Sequence, residues 1–589
     1  VGDSGNINIT TGSLRVSGAG TRLDTPTYGG GKAGNVNIVA RDTVTFDASD
    51  STGGVAAVSS VEEGNVNGSD INITTRSLNV IRGAQLVAVT WDEGNAGNVN
   101  IVARDTVTFD GVASTGFSSS GAGTSVQEES TGNGGDINIT TRSLRVMGGA
   151  RVSANTRGEG KAGNVNIVAR DSVTFDGVAS TGFSSSGAGT SVQEESTGNG
   201  GDINITTRSL RVMGGARVSA NTRGEGKAGN VNIVARDSVT FDGVASTGVT
   251  SRVTTNVTET GKGDGGDINI TTGVLSLTNG GNIDAATYSQ GNAGNINITA
   301  RDAVSFDGVD SDGFGSGAYS SVLSGAVGQG GNITVNTDLF LITNKGELSA
   351  SSEGQGNAGN LEVNARQIRL DNQGAIQAQT ASGQGGNIKL QVQDLLLLRR
   401  GSKISTNAGT DLAGGNGGNI TIDGKFIVAI PNEDSDISAN AFSGTGGNIQ
   451  INSQGIFGIE SHPEPTQKSD ITASSKLGVS GVININTPDN SSIQNSFTQL
   501  SPNVIDTNAL IANSCIARGT KRQENSFTIT GSGALRNSPG DVLMSAYTTG
   551  DVRNVESTSR TWKKGDPIIE AQGLYRLPDG QLLLSRACG

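Results

Sequence analysis

A nine-residue phrase, Gly-Asn-Val-Asn-Ile-Val-Ala-Arg-Asp at Gly34 to Asp42, keeps returning in altered form down to about residue 487. Each return has a glycine, then Asn or Asp, then an apolar residue, a polar one, and Ile or Val. The signature begins at Asn6, Asn35, Asp70, Asn98, Asp136 and Asn164, and nine more times before it fades into Val482-Ile483-Asn484-Ile485. Successive starts lie about 28 to 38 residues apart, a period that restricts the chain to a solenoid, a propeller or an array. A repeat array grows in one dimension, so 589 residues set the length of the object and not a number of compact domains.

Within one unit, Gly331 to Gly359, three apolar-alternating runs occur: Asn332-Ile333-Thr334-Val335-Asn336, Leu339-Phe340-Leu341-Ile342 and Glu347-Leu348-Ser349-Ala350. Alternation over four to six residues between Gly, Asn, Asp and Ser marks a strand with one buried face. Three strands and three turns per unit are the content of one turn of a right-handed parallel β-helix. The expected fold is therefore all-β, a β-helix of about sixteen three-strand rungs over residues 1–487, followed by a C-terminal capping or attachment region at 488–589. Alternation puts Ile7, Ile9 and Thr11, or Val36, Ile38 and Ala40, inside, and the flanking Asn and Arg residues outside. At about 4.8 Å per rung the stack would be roughly 75 Å long.

Two rung types alternate, Gly-Asp-Ile-Asn-Ile-Thr-Thr-Arg-Ser-Leu and Gly-Asn-Val-Asn-Ile-Val-Ala-Arg-Asp, so the unit of duplication is a double rung. Gly111 to Asp176 is repeated without change as Gly177 to Asp242. The longer rungs carry their excess in Ser- and Gly-rich runs such as Ser118 to Gly123 and Gly308 to Gly328, which read as loops leaving one corner. In the last region, Leu574 to Leu577 and Leu582 to Leu584 flank Pro578-Asp579-Gly580 as a β-hairpin would. The chain opens at Val1 in the middle of the pattern, as a fragment of a longer protein would, so the absence of a secretion signal from it carries no information.

Arg41, Arg76, Arg104, Arg142, Arg170, Arg208 and Arg236 fall at one position on consecutive rungs. Stacked like charges repel, and Asp42, Asp105, Asp171 and Asp237 stand beside alternate arginines to relieve them. A solvated edge of mixed charge is one reading of this column. A ladder for a repeating polyanion such as an acidic polysaccharide is the sharper one. The Asn37, Asn72, Asn100, Asn138 and Asn166 column suits an amide ladder along the stack. A net charge of −13 argues against nucleic acid as a partner.

No cofactor, metal or catalytic group is expected. The acid pairs Glu62-Glu63, Glu128-Glu129 and Glu194-Glu195 belong to the repeat, whereas an enzyme site should occur once. Single-copy acids do stand at Glu433, Asp434, Asp436, Glu460 and Glu464 around the only histidine, His462, which lacks any second histidine at metal-ligand spacing. Cys515 and Cys588, the two cysteines, would pair in an oxidising compartment and stay thiols in a reducing one; the disulfide accords with an extracellular protein.

The rungs, together with Cys515, Ser526 to Gly533, Pro539, Glu570-Ala571-Gln572-Gly573 and Gly580-Gln581, resemble the large exoproteins of the filamentous-haemagglutinin type, in particular those of cyanobacteria. The resemblance implies two-partner secretion through an outer-membrane transporter and a place outside the cell, secreted or at the outer-membrane surface. It also implies a role in adhesion or cell-to-cell contact, through a surface polysaccharide or a receptor on a host or neighbouring cell. That family's N-terminal secretion domain has no counterpart in this sequence. The competing expectation is a carbohydrate-active enzyme, a polysaccharide lyase or hydrolase, because parallel β-helices also carry such sites.

Overall fold

The computed structural model describes residues 3–488 except 19, 49–53, 117, 183 and 411–413, together with the backbone of 573–576 and 582–585. The chain divides into two compact units, Val1–Ser491 and Ser492–Gly589. The first is a parallel β-helix. Its long strands run from Ile7–Ser17 and Val36–Asp47 through to Ile449–Phe457 and Ile483–Asn486, and pair in chain order into one sixteen-stranded parallel sheet. A second parallel sheet is built from the shorter strands, from Arg22–Tyr28 to Asp470–Thr472, with Glu460–Ser461 at its far edge. Single parallel bridges such as Thr197 to Glu225 and Glu225 to Lys262 tie the remaining wall together.

The three runs expected per rung are arranged differently from three separate strands. The first two, Ile333 to Asn336 and Leu339 to Ile342, are one continuous strand, Ile333–Thr343. In most neighbouring pairs the register slips once along this strand, as between Ala169 and Ser172 against Thr207 and Ser209. At that step the two residues Arg170-Asp171 lie opposite the single Arg208, a β-bulge repeated on every double rung in this part of the stack. The bulge explains why one rung type has a twelve-residue strand, Val165–Asp176, and the other an eleven-residue strand, Ile203–Met213.

The inward columns are closed to solvent. Val36, Ile38 and Ala40 are buried and Arg41 is exposed, as alternation requires, while Ile7, Ile9 and Thr11 of the first described rung, packed by a described rung on one side, are partly covered. Phe46, Phe109, Phe175, Phe241 and Phe306 are fully buried, and their in-register neighbours on the following rungs are Val80, Val146, Val212, Leu277 and Ile342. Large and smaller side chains thus alternate down one column, which keeps interior density uniform and gives the double rung a packing reason to exist. Burying each Phe, Leu or Ile contributes about 1.5–3 kcal/mol, most of it available only when the next rung is in place.

Part of the Ser- and Gly-rich sequence expected to form loops is structure of another kind. Gly121–Val126 and Gly317–Tyr319 are strands of the second sheet. Ser120, Ser186, Ser251 and Ser316 are completely buried at the preceding corner. Ser251 Oγ, for example, accepts the Gly215 N–H at 2.9 Å and donates to the Asp242 carbonyl at 2.8 Å, so one hydroxyl joins two rungs. Within the second unit, Gly573–Arg576 pairs antiparallel with Leu582–Ser585, placing Leu574 opposite Leu584. Cys515 and Cys588 lie outside the described residues.

Candidate functional site

On the first sheet the arginine column runs beside its own counter-ions. Asp105 lies 3.4 Å from Arg76 and 3.8 Å from Arg104, Asp171 lies 3.8 Å from Arg142 and 3.5 Å from Arg170, and Asp237 lies 3.2 Å from Arg208 and 2.8 Å from Arg236. Arg41 is held by Asp42 at 2.9 Å. The bulge supplies the extra aspartate that reaches both the arginine of its own rung and that of the rung before. All seven arginines stay about half exposed or more, where such pairs contribute little to stability. The column is an edge of mixed charge whose cations are already engaged.

Next to it runs the amide ladder. Asn37 Nδ2 donates to Asn8 Oδ1 at 2.8 Å, and Asn72, Asn100, Asn138 and Asn166 continue the chain at 2.9 Å per step. A second ladder starts each rung, with the side-chain oxygen of one signature residue accepting the backbone N–H of the next, from Asn6 to Asn35 through to Asn448 and Val482. These asparagines are occupied by the fold.

The outer face of the second sheet differs. Arg151, Gly187, Arg217 and Arg252 occupy one outward position on four consecutive rungs. Gly187 admits no side chain, because a Cβ there would lie 1.7 Å from the Arg217 carbonyl oxygen. The floor between Arg151 and Arg217 is therefore open, and with Arg223 these arginines line a cavity of about 590 Å³. None of the four forms an ion pair with a described residue, and the Nε atoms of Arg217 and Arg252 are buried without an acceptor. Burial and the charges of Arg252, Arg151 and Arg223 pull the Arg217 guanidinium down to about 10. Glu194 and Glu259 also line the cavity, yet neither reaches ion-pair distance of the arginines. Periodicity in the sequence missed this cluster, because its members become neighbours only once rungs of unequal length are placed in register.

Arg252 and Tyr288 line a second cavity as well, about 580 Å³, which continues along the same face. Its other lining residues include Asp284, Phe314, Tyr319 and Glu347. Asp284 is buried and accepts from Asn256 Nδ2 at 2.8 Å and from the Ala286 N–H at 3.1 Å; desolvation raises its pKa against those bonds. Burial likewise raises Glu347. The Tyr319 hydroxyl donates to the Gly315 carbonyl at 2.7 Å, and Phe314 stands 70% exposed at the rim. Acids and aromatic rings thus adjoin a cationic stretch in one groove.

Of the single-copy acids singled out around His462, Glu460 alone comes within ion-pair distance of it. Glu433 is bound by Arg399 at 2.7 and 2.9 Å and by the Arg400 N–H at 2.9 Å, which holds its carboxyl near 2. Asp434 takes a left-handed turn conformation with φ of 52°. Burial lifts Asp436 to about 6. His462 Nε2 lies 3.5 Å from Asp470 and 3.9 Å from Glu460, and Glu464 is exposed in the adjoining loop. Among the described residues no group of three His, Cys, Asp or Glu side chains is placed to hold a metal. Set against models of known protein families, curated proteins and solved structures, the chain gives no match.

Proposed function

We propose that this chain is the stalk of a secreted, outer-membrane-associated adhesin that binds glycan along the outer face of its second sheet, without turning it over. The observation that carries this reading is the groove in which unpaired arginines adjoin Tyr288, Tyr319 and Phe314. Guanidinium groups and outward Ser and Asn side chains suit the hydroxyls and acidic groups of a saccharide, and aromatic faces suit its C–H faces. The stacked rungs support a rigid display, and repeated weak contacts along it would add through effective concentration. Export by two-partner secretion through an outer-membrane transporter, and a cyanobacterial source, rest on the resemblance of the rungs and the C-terminal segment alone. A polysaccharide lyase or hydrolase is the second reading, favoured by Asp284 and Glu347 beside the aromatic rings. A glycan array on the purified chain, run beside an assay for released reducing or unsaturated sugar, tests both: binding without product is the expected result, and product that disappears in Asp284→Asn would replace adhesion with catalysis.

A further inference from the structure

The protein has a contrast that its repeat does not require. Every arginine of the first-sheet column named above stands within ion-pair distance of an aspartate, whereas Arg151, Arg217 and Arg252 on the second sheet and Arg223 beside it form no ion pair with a described residue, and only Arg252 feels an acid, the buried Asp284 of the next rung. Arg217 and Arg252 are directly in register on neighbouring rungs, about 4.8 Å apart along the stack, where like charges destabilise a sheet. Their Nε donors are buried without acceptors, and a buried donor left unmade opposes folding. An oxyanion in the groove would remove the repulsion between them, because a guanidinium offers a planar fork to carboxylate and sulfate oxygens through its terminal nitrogens. Gly187 holds the floor open between Arg151 and Arg217, two rungs or about 10 Å apart, so a chain of sugar rings can lie along the axis. With a net charge of −13 the whole molecule repels polyanions, so any attraction must be local to this cluster.

We propose that Arg151, Arg217, Arg223 and Arg252 form an oxyanion subsite that takes the carboxylate or sulfate groups of an acidic saccharide lying along the groove. The subsite rests on the glycan-binding reading for its ligand but not for its anion chemistry, and the two are separable by experiment. Polygalacturonate, dextran sulfate and neutral dextran are titrated into the purified chain, into R217Q/R252Q, and into the first-sheet control R76Q/R208Q, with circular dichroism confirming that each is folded. In parallel, thermal midpoints are read in sodium sulfate and in sodium chloride at equal ionic strength.

The expected result is binding of polygalacturonate or dextran sulfate that weakens by about tenfold or more in R217Q/R252Q and by less than about twofold in the control. Sulfate should also raise the midpoint of the wild-type chain more than that of R217Q/R252Q. The acidic probe that binds identifies carboxylate or sulfate as the group taken. Equal weakening in both variants, or a sulfate response that is the same with and without the groove arginines, overturns the subsite. Acidic probes that bind no more tightly than neutral dextran, and equally well to R217Q/R252Q, overturn the subsite and leave glycan binding standing; a groove-dependent sulfate response with no saccharide bound does the reverse.

Discussion

Ser251 shows how much a single hydroxyl can hold in this fold. Fully buried, it closes the corner of its own rung through the Asp242 carbonyl and receives the N–H of Gly215 on the rung before. Ser251→Ala leaves that N–H without a partner and should cost about 1–3 kcal/mol in urea unfolding, whereas the same change at exposed Ser114 should be close to neutral. Two carboxyls near the far end respond to pH in opposite senses. Asp436 is lifted to about 6, so the folded protein holds its proton more tightly than the unfolded chain, and stability falls as pH rises from about 4 through 6. Glu433, held near 2 by Arg399, adds stability that is complete above its ordinary value and lost as pH falls toward 2. Thermal midpoints across pH 2 to 7 should therefore lose the upper slope in Asp436→Asn and the lower one in Glu433→Gln.

The short strands of the second sheet are where register becomes a matter of backbone clearance. A methyl group at Gly187 would meet the Arg217 carbonyl oxygen at 1.7 Å, whereas one at Gly123 would find only the Ser153 carbonyl oxygen at 3.8 Å. Gly187→Ala should destabilise the stack by about 1–3 kcal/mol or more, and Gly123→Ala should be neutral or stabilising by up to about 1 kcal/mol; chemical denaturation separates the two. The same strands are the least legible in the sequence. Long strands such as Val36–Asp47 are legible because Val36, Ile38 and Ala40 alternate with polar residues, and because their period repeats. Gly121–Val126 looks like a loop from composition, since its backbone clearance demands glycine and its buried Thr124 donates to the Gly135 carbonyl, so polar residues stand where apolar ones are expected. The arginine column of the first sheet is visible in the sequence for the same reason that its charges are matched: it and its aspartates are written into the repeat. The Arg217 and Arg252 pair was not, since these residues are 35 positions apart in rungs whose corner loops differ in sequence and length.

For the stacked unit as a whole, each rung contacts mainly its two neighbours, so length and stability are nearly separable from fold. Removing Gly111 to Asp176 joins Asp110 to Gly177, which begins an identical copy, and every following register is preserved. That deletion should give a folded chain shorter by two rungs, roughly 10 Å in scattering measurements. It would lack Arg151 but keep Arg217, Arg223 and Arg252. The hydrogen bonds between rungs of both parallel sheets, and the asparagine ladders with them, all point along the stacking axis. A pull along that axis therefore loads one rung interface at a time instead of shearing many together. Each interface that yields releases about 28 residues or more, and a 28-residue stretch extends to about 90–100 Å where the folded rung occupied about 4.8 Å. Stretched between two attachments, each rung lost would lengthen about twentyfold while the remaining rungs stayed folded, making the stack a shock absorber as well as a spacer.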